Sequence, residues 1–399
     1  MNTPAPLTVA REDVSASNEI ARCAGPEAAD LARRLAAETT GEVLFDSASR
    51  GRYATDASIY QIIPTGVFVP KTAQDVTIAL DIARDLKVPI TSRGGGTSQC
   101  GQTIGAGLII DHSKYLRKVR AIDAEAGTVE VEPGLVLDHL NAQLKPYGLW
   151  YPVDVSTAAQ ATLGGMAGNN SCGSRSIAYG NMVHNVLGMN VWQADGTELA
   201  LGPLHGLGSK ERALADYVRG LVDTLHADID TLWPRVMRRV AGYNLDIFYP
   251  MSEKPYTGDG SVNLAHLMVG AEGSLGVTKS LQLKLSPLPR NKVLGVVNFP
   301  SFHRAMDAAQ HIVQIKPSAV ELVDRTMIEL SIANPSFRPV IEAALIGRPE
   351  AILLVEFSAD ERTALLHRLQ QLVELSGDLG LSGNVVQIVS DAEQKALWE

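Results

Sequence analysis

Three consecutive glycines, Gly94–Gly96, lie one residue after a short β-type segment with the sequence VPITS. Arg93 precedes the glycines, and two hydroxyl residues, Thr97 and Ser98, follow them. Glycine has no Cβ, so its backbone reaches positive φ at little cost and its N–H groups can approach a ligand closely. Successive N–H groups in such a bend are suited to an anion. The stretch RGGGTSQCGQ therefore indicates a phosphate-binding bend, because a tight turn between strands usually accounts for only one or two glycines.

Two common phosphate-binding motifs do not fit this stretch. A Rossmann fingerprint needs a third glycine at the position where this chain has Gln99. A P-loop needs a lysine after its second glycine; the spacing from Gly96 to Gly101 is correct, but the next residue is Gln102. Without that lysine no side chain neutralises the β- and γ-phosphates. An NTPase is therefore disfavoured, and a dinucleotide held outside a Rossmann frame is the remaining interpretation.

Glycines and small polar residues recur in two later segments. The second segment reads TLGGMAGNNSCGSRSIAYG over residues 162–180, and the third reads GAEGSLGV over residues 270–277. Their glycines allow close approach of the backbone, and the asparagine and serine side chains supply hydrogen-bond donors and acceptors. Each of these segments alone is also typical of a surface loop or a turn.

Composition and charge exclude several classes of protein. Of the 399 residues, 44 are acidic and 35 basic, which gives a formal net charge of -9. A nucleic-acid partner is disfavoured because phosphate contacts need a basic surface. The three cysteines, Cys23, Cys100 and Cys172, have no paired spacing, which disfavours a disulfide framework and a zinc site. We therefore expect no bound metal within these residues.

Signals for export and for membrane insertion are missing from the sequence. The N-terminal stretch MNTPAPLTVAREDVSASNE lacks the apolar core of a signal peptide. No uncharged apolar run reaches the roughly 18 residues that a membrane helix needs. We therefore expect no transmembrane segment and a cytoplasmic location, with peripheral attachment at the inner membrane as the alternative.

Changes in the sequence pattern divide the chain into three parts. Residues 1–27 are rich in Pro, Ala, Ser and charged residues, which predicts a flexible lead-in. Residues 28–289 alternate helix and strand patterns around the glycine-rich segments, and the closely spaced Pro287 and Pro289 predict a boundary. Residues 290–399 alternate strands and helices regularly, which is typical of a small α+β layer.

Five segments, in order along the chain, resemble the flavin-binding domain of the vanillyl-alcohol oxidase (PCMH-type) family. They read VFVPKTAQDVTIALDIARDLKVPI, RGGGTSQCGQ, VEVEPGLVLDHLNAQLKPYGLWYPVDVST, TLGGMAGNNSCGSRSIAYGNMVHNV and VGAEGSLGVTKSLQLKLSPLP. The resemblance extends over roughly residues 40–399. It implies an α+β fold in which a two-subdomain PCMH-type FAD-binding domain is followed by a truncated ferredoxin-like α+β cap domain.

By this resemblance the three glycine-rich segments enclose one FAD molecule. The first would hold the pyrophosphate, the second would line the flavin, and the third would close over the cofactor. Several family members attach their flavin covalently through a histidine after the glycine triplet, but this chain has Thr97 there, so we expect non-covalent FAD. The cofactor-binding residues that the resemblance implies are Arg93, Gly94, Gly95, Gly96, Thr97, Ser98, Gly101, Gln102, Gly164, Gly165, Asn169, Asn170, Ser171, Gly173, Ser176, Tyr179, Gly180, Glu272, Gly273, Leu275, Gly276 and Val277.

The part of the chain after the double proline is similar to the cap domain of D-lactate, glycolate and D-2-hydroxyglutarate dehydrogenases. The stretches FDSASRGRYATDASIYQIIPTGVFVP and MRRVAGYNLD resemble a branch with a flavin half followed by an iron–sulfur half. This similarity implies oxidation of a D-2-hydroxy acid to a 2-oxo acid, with hydride transfer from Cα to flavin N5. The electrons would pass to a quinone, a cytochrome or an electron-transfer flavoprotein rather than to a nicotinamide.

A substrate carboxylate is best bound by an arginine, whose guanidinium forms two parallel hydrogen bonds. Arg238 and Arg239 precede VAGYNLD and correspond in position to this role in the related enzymes. The alternative is a solvated pair at the end of helices predicted over roughly residues 209–239. No catalytic base is assigned, since His184 and His266 near the flavin-lining segments are more simply explained as structural. Cys100 and Cys172 are expected to be small buried residues.

The chain ends at ALWE, where the related enzymes continue with a basic residue and the rest of the cap. We therefore expect a fragment or a truncated reading frame, with an iron–sulfur cluster only in a longer form of the protein. Two alternatives to a dehydrogenase remain open. One is a non-catalytic flavin-binding subunit or fragment without a complete cap, and the other is a reductase of the same fold that acts on a sugar nucleotide.

Overall fold

The computed structural model describes residues 26–236, 238–249, 251 and 254–398. The predicted lead-in, residues 1–27, lies outside this range except for its last two residues. The strands within the described residues are β1 (Glu42–Leu44), β2 (Gly66–Val69), β3 (Ile90–Arg93), β4 (Leu108–Asp111), β5 (Val119–Asp123), β6 (Thr128–Val131), β7 (Leu149–Trp150), β8 (Val186–Trp192), β9 (Glu198–Leu201), β10 (Val277–Lys284), β11 (Ser286–Pro287), β12 (Asn291–Phe299), β13 (Ala319–Asp324), β14 (Ala351–Ala359) and β15 (Val385–Ile388).

Helices connect these strands, and none of those described combines the length and apolarity needed to cross a bilayer. Short 3₁₀ helices lie at Lys145–Tyr147, Leu204–Gly206, Leu245–Ile247, Leu264–Leu267 and Val313–Ile315. The α-helices are α1 (Pro26–Glu38), α2 (Ser47–Arg52), α3 (Ala73–Asp85), α4 (Leu137–Leu144), α5 (Leu163–Asn169), α6 (Ser176–Tyr179), α7 (Met182–Asn185), α8 (Ser209–Thr224), α9 (His226–Leu232), α10 (Phe302–Ile312), α11 (Arg325–Ala333), α12 (Arg338–Ala344), α13 (Arg362–Asp378) and α14 (Asp391–Trp398).

The first sheet has the strand order β1-β2-β4-β3, with β2, β4 and β3 parallel to one another. Helices α1 and α3 cover it, and Leu35 of α1 shares a buried core with Phe68 of β2. Helix α3 begins where Thr72 and Asp75 form a reciprocal capping box, which satisfies the first free N–H groups of the helix. Strand β3 ends at Arg93, so the glycine triplet starts at the carboxyl edge of parallel strands, where ligands commonly bind.

The second sheet is antiparallel with the order β5-β6-β10-β8-β9. Strand β10 lies at its centre and follows the third glycine-rich segment directly. The second glycine-rich segment forms the short helices α5 and α6, and the chain then enters β8. Because β8 pairs with β10, the second and third segments enter the same sheet from neighbouring strands. Trp192 and Val277 of this sheet also pack into the core of the first sheet, which joins the two sheets.

The third sheet has the order β13-β14-β12-β15 and is antiparallel throughout. Helices α10 and α13 pack on one face, where Leu369 contacts the core, and α11, α12 and α14 cover the other face. Cover on both faces explains why β12 and β14 are almost uninterrupted apolar runs. We propose a domain boundary at residues 289 and 290, between the β7–β11 pair and the third sheet.

Most of the predicted elements are confirmed, including α3, α13 and the strands on either side of the glycine triplet. The prediction of helices over residues 209–239 is wrong at its end, because α9 stops at Leu232. Pro234 explains this difference, since the backbone before a proline is driven away from the α-helical region. Arg238 and Arg239 therefore do not lie at a helix end. The pattern also failed to predict α11, α12 and β15.

Candidate functional site

The three glycine-rich segments meet around one cavity of about 460 Å³. This volume lies within the range of about 300–1,000 Å³ that small-molecule sites occupy. The predicted cofactor-binding residues that line the cavity are Arg93, Gly94, Gly95, Gly96, Thr97, Ser98, Gln102, Gly164, Gly165, Asn169, Ser171, Glu272, Gly273 and Gly276. The structure thus brings together parts of all three segments that sequence reasoning grouped.

Other predicted residues lie outside this lining: Gly101, Asn170, Gly173, Ser176, Tyr179, Gly180, Leu275 and Val277. Asn170 and Ser176 make hydrogen bonds that hold the second segment in place. Asn170 ends α5 with φ +53°, accepts a hydrogen bond from the Val183 N–H at 3.0 Å and donates to the Arg239 carbonyl at 3.3 Å. Ser176 Oγ accepts from the Gly173 N–H at 2.9 Å. These contacts fix the second segment rather than face the cavity.

The first segment packs so closely that two of its glycines have no room for a side chain. A Cβ on Gly94 would overlap the Thr162 hydroxyl, and a Cβ on Gly95 would overlap the carbonyl oxygen of Gln160. Gly96 adopts φ +66°, in the left-handed region that favours glycine. The triplet is therefore required by the close approach of the first segment to the turn before α5.

Arg93 supports this bend from its outer side. Its guanidinium donates to the carbonyl oxygens of Thr55 at 2.9 Å, Thr103 at 3.2 Å and Tyr53 at 3.4 Å. It also lies 5.2 Å from the centre of the Tyr53 ring. Burial lowers the pKa of Arg93. Its donors are thus mostly used within the protein, and the backbone of the bend is what faces the cavity.

Three buried polar atoms of lining residues have no hydrogen-bond partner within the described part of the chain. They are Gln102 Oε1, His112 Nδ1 and Thr162 Oγ1. His112 is 3% exposed, and its Nε2 lies 2.9 Å from Ser92 Oγ. Burial lowers the pKa of His112 to about 4, so the ring is neutral at pH 7. Buried polar atoms are normally paired, so these atoms are available to a polar ligand in the cavity.

His112 and Thr162 were missed by sequence reasoning, which selected glycines and the polar residues beside them. His112 follows the buried strand β4, and Thr162 precedes α5 without capping it through its side chain. A polar residue directly after a buried run was the only available signal for His112, and it is a weak one. The glycine cradle and the unpaired donors and acceptors together fit a dinucleotide, and FAD is the dinucleotide that the resemblance implies.

The third segment lies against the carboxyl end of α5. Backbone N–H groups of Gly270 and Glu272 donate to the carbonyls of Ala167 and Gly168, both at 2.9 Å. Glu272 lines the cavity, and burial raises the pKa of its carboxyl group. The second and third segments are therefore held as one unit by main-chain hydrogen bonds.

The two predicted substrate arginines have different surroundings. Arg239 Nη2 lies 2.6 Å from Oδ1 of Asp246, whose side chain is fully buried, and its guanidinium is 4.8 Å from the Trp233 ring centre. Arg238 is exposed and makes a long hydrogen bond of 3.5 Å to the Gly173 carbonyl. Arg239 is thus committed to an internal ion pair, whereas Arg238 keeps its charge accessible beside the second segment.

The histidines considered for catalysis are buried away from the cavity. His184 Nδ1 accepts from the Asn181 N–H at 3.0 Å, and His266 Nε2 lies 3.0 Å from the Val186 carbonyl oxygen. Burial lowers the pKa of both rings to about 4. Neither residue belongs to the cavity lining. Their contacts support the structural role expected for them.

The two described cysteines differ from the expectation that both are buried. Cys100 and Cys172 line the cavity, but Cys100 is exposed and Cys172 is half-buried. The prediction is wrong for Cys100, whose side chain is exposed in the loop after the glycine triplet, and Cys172 is only partly buried.

Comparisons with known proteins agree with this architecture. The family model for the FAD binding domain matches residues 64–202, and the model for the C-terminal domain of FAD linked oxidases matches residues 288–399. Among solved structures, alkyldihydroxyacetonephosphate synthase has a TM-score of 0.66 at 18% identity, covering 92% of this chain and 62% of that one. This structural similarity concerns the fold alone.

Curated relatives are similar over most of the chain. D-2-hydroxyglutarate dehydrogenase of Pseudomonas putida is 32% identical over 348 residues, which cover 84% of this chain and 34% of the relative. The probable mitochondrial D-lactate dehydrogenase of Danio rerio is 31% identical over 287 residues, which cover 71% of this chain and 48% of the relative. The chain thus spans about a third of the length of the first relative and about half of the second. The two family models, the curated relatives and the glycine-lined cavity show that the chain belongs to the vanillyl-alcohol oxidase (PCMH-type) family of FAD-linked oxidases.

Proposed function

We propose that this chain binds FAD non-covalently in the glycine-lined cavity and takes part in the oxidation of a D-2-hydroxy acid to the 2-oxo acid. The observation that carries the proposal is the meeting of three glycine-rich segments around one cavity, where Gln102 of the first and Glu272 of the third are 170 residues apart in sequence. The similarity to dehydrogenases of D-2-hydroxyglutarate and D-lactate supports this substrate class.

The residues that would hold FAD are those of the cradle and its unpaired polar atoms. The backbone of the first segment comes close to the cavity because Gly94 and Gly95 carry no side chain. Among the described residues, Thr162 Oγ1 and His112 Nδ1 are buried in the wall without a protein partner. When bound, FAD supplies the hydride acceptor that no amino-acid side chain can provide. The protein positions the cofactor.

Arg238 is our candidate for binding the substrate carboxylate. Its charge acts on Cys172 of the cavity lining and on Glu321 of the third sheet. Burial raises the pKa of Cys172, which lines the cavity, and Arg238 partly offsets this rise. Burial and the charge of Asp154 raise the pKa of Glu321 on β13, and Arg238 again offsets part of the effect. An exposed guanidinium in this place suits an anionic substrate.

The proposal also includes the chemical class of the electron acceptor. We infer a quinone, a cytochrome or an electron-transfer flavoprotein, because no nicotinamide-binding fingerprint occurs in the sequence. A cytoplasmic location, with peripheral attachment at the inner membrane as the alternative, stays a prediction that cell fractionation can test.

Anaerobic reduction of the bound flavin tests the proposal. The protein is reconstituted with FAD, freed of excess cofactor and mixed with D-lactate, D-2-hydroxyglutarate or glycolate, and the visible flavin absorbance is followed. The L-enantiomers of the first two acids serve as matched controls. We expect bleaching by a D-hydroxy acid and none by its enantiomer.

Other results of this experiment separate the alternatives. FAD binding without reduction by any of the acids would support a non-catalytic flavin-binding unit. Reduction by NADPH would support the sugar-nucleotide reductase. Failure to bind FAD would contradict the proposal altogether.

A further inference from the structure

A carboxyl group lies in the wall of a cavity that we assign to a ligand with two phosphate charges. Glu272 is the one acidic side chain among the described residues of the lining. The one arginine of the lining, Arg93, already donates to three backbone carbonyls. A carboxylate in this position would repel a diphosphate, and no lining cation is placed to compensate it. The presence of Glu272 therefore requires an explanation.

Glu272 connects the three glycine-rich segments through its side chain. Its Oε1 accepts a hydrogen bond from Asn169 Nδ2 of the second segment at 2.9 Å and a longer one from Gln102 Nε2 of the first at 3.5 Å. Its own backbone has φ +51°, in the left-handed region that residues other than glycine rarely adopt. The chain thus places a non-glycine residue where glycine would be easier. The left-handed conformation of Glu272 indicates that its carboxyl group has a role that glycine could not fill.

The amide of Gln102 indicates which form of the carboxyl group suits this site. Gln102 Nε2 donates to Glu272, while Gln102 Oε1 is buried and has no partner among the described residues. A carboxylate can only accept hydrogen bonds, so it cannot pair with that oxygen. A neutral carboxyl group also has an O–H donor, and it can serve both the donor and the acceptor of the neighbouring amide.

We propose that Glu272 is a positioning residue that joins the three segments and that it is a neutral acid when FAD is bound. FAD binding then takes up one proton from solvent onto a Glu272 carboxylate oxygen. This inference rests on the proposed FAD site. It adds a pH dependence of cofactor affinity that the family resemblance does not supply.

The other titratable groups around the cavity do not account for such a dependence. Burial lowers the pKa of His112, at the end of β4, to about 4, so it stays neutral near pH 7. Burial raises the pKa of Cys172 in the second segment, which keeps the thiol neutral. Cys100 in the first segment is an exposed thiol, and the Arg93 guanidinium is held by three backbone carbonyls. Burial raises the pKa of the Glu272 carboxyl group itself.

The test compares FAD dissociation constants of the wild type, Glu272→Gln and Glu272→Ala as a function of pH, measured by quenching of flavin fluorescence. Glutamine reproduces the neutral acid in shape and hydrogen bonding. Glu125→Gln, on an exposed loop, is the matched control. We expect the wild-type Kd to rise by up to about tenfold per pH unit above the Glu272 pKa of the free protein, whereas E272Q should vary by less than about twofold. Because E272A also loses the connection between segments, it should bind about tenfold more weakly than E272Q.

Calorimetry in buffers of different ionisation enthalpy counts the protons directly. We expect an uptake approaching one proton per FAD for the wild type and for E125Q, and none for E272Q. Wild-type affinity that is independent of pH, or the same slope in E272Q, overturns this inference while leaving the FAD site intact. A wild type that binds no FAD at any pH overturns the proposed function and the inference with it.

Discussion

Arg175 donates to both carboxylate oxygens of Glu356, at 3.1 Å from Nε to Oε1 and at 2.9 Å from Nη2 to Oε2. Arg175 belongs to the second glycine-rich segment, and Glu356 lies on β14 at the centre of the third sheet. The Glu356 side chain is 2% exposed, and Arg175 also pairs with Asp154 at 3.3 Å. The bidentate pair therefore joins the FAD-binding part of the chain to the C-terminal sheet.

Removal of this link should destabilise the protein. We expect Glu356→Ala to lower the free energy of unfolding by about 3 kcal/mol, because the loss of one partner from a buried ion pair leaves the other charge poorly compensated. Urea unfolding followed by circular dichroism measures the loss. Asp216→Ala breaks the exposed pair with Arg219 and should cost no more than about 1 kcal/mol. Equal losses of unfolding free energy in the two variants would show that the Arg175–Glu356 pair stabilises the protein no more than an exposed pair does.

A methyl group on the second glycine of the triplet should disrupt the cofactor site. In Gly95→Ala the new Cβ overlaps the Gln160 carbonyl oxygen, so the bend must shift. Such overpacking costs about 1–3 kcal/mol, which corresponds to about a five- to 160-fold loss of FAD affinity in a titration. Gly51→Ala is the control, because among the described residues no heavy atom outside its chain neighbours and its own helix backbone lies within 4 Å of the added Cβ. An FAD affinity of G95A equal to that of the wild type would show that the glycine triplet is not part of the FAD site.

The two adjacent arginines should respond differently to the same substitution. Arg238→Gln should raise the D-hydroxy-acid concentration for half-maximal flavin reduction by about tenfold, because hydrogen bonds to a charged group contribute about 1.5–3 kcal/mol. It should leave FAD affinity and stability unchanged. Arg239→Gln should instead lower the free energy of unfolding by about 3 kcal/mol, because buried Asp246 loses its cation. Stopped-flow flavin reduction and urea unfolding measure these effects. A weaker response to the substrate in Arg239→Gln, with lost stability in Arg238→Gln, would instead assign substrate binding to Arg239.

Three histidines, of which His112 and His266 are buried and His184 is half-buried, should make the protein sensitive to mild acid. Burial lowers the pKa of His112, His184 and His266 from 6.5 to about 4. The unfolded chain therefore takes up protons at a higher pH than the folded chain, so stability is complete above about pH 6.5 and falls as the pH decreases toward 4. Urea unfolding at several pH values measures this decrease.

Substitution of one of these histidines tests their contribution. His266→Gln should show a smaller decrease in stability between these pH values than the wild type, because one of the three groups no longer titrates. The exposed His205→Gln should keep the wild-type slope. A slope in H266Q equal to that of the wild type would mean that other groups cause the acid sensitivity.

The part of the site that could be predicted from sequence is the part encoded locally. The glycine triplet after β3 and the apolar runs of β12 and β14 are patterns within a few residues, and the structure contains these elements. Thr162 and His112 could not be found in this way, because their importance comes from unpaired atoms that face a cavity formed by distant segments. Long-range contacts of this kind leave no local pattern.

The distinction between Arg238 and Arg239 also depends on distant residues. The two arginines are adjacent, so the local sequence does not tell them apart. The contacts of Arg239 with buried Asp246 and with the ring of Trp233 show that its charge is paired inside the protein. The early end of the helix before them has a local cause, since Pro234 disfavours the helical conformation at the residue that precedes it.

A crystal structure of the protein with FAD is the most direct test of the central claim. The account predicts that FAD lies in the cavity between the three glycine-rich segments, in contact with the bend at Gly94–Ser98, with Asn169 and with the third segment at Glu272. FAD bound at another place, or segments that move apart so that no single molecule touches all three, would contradict it.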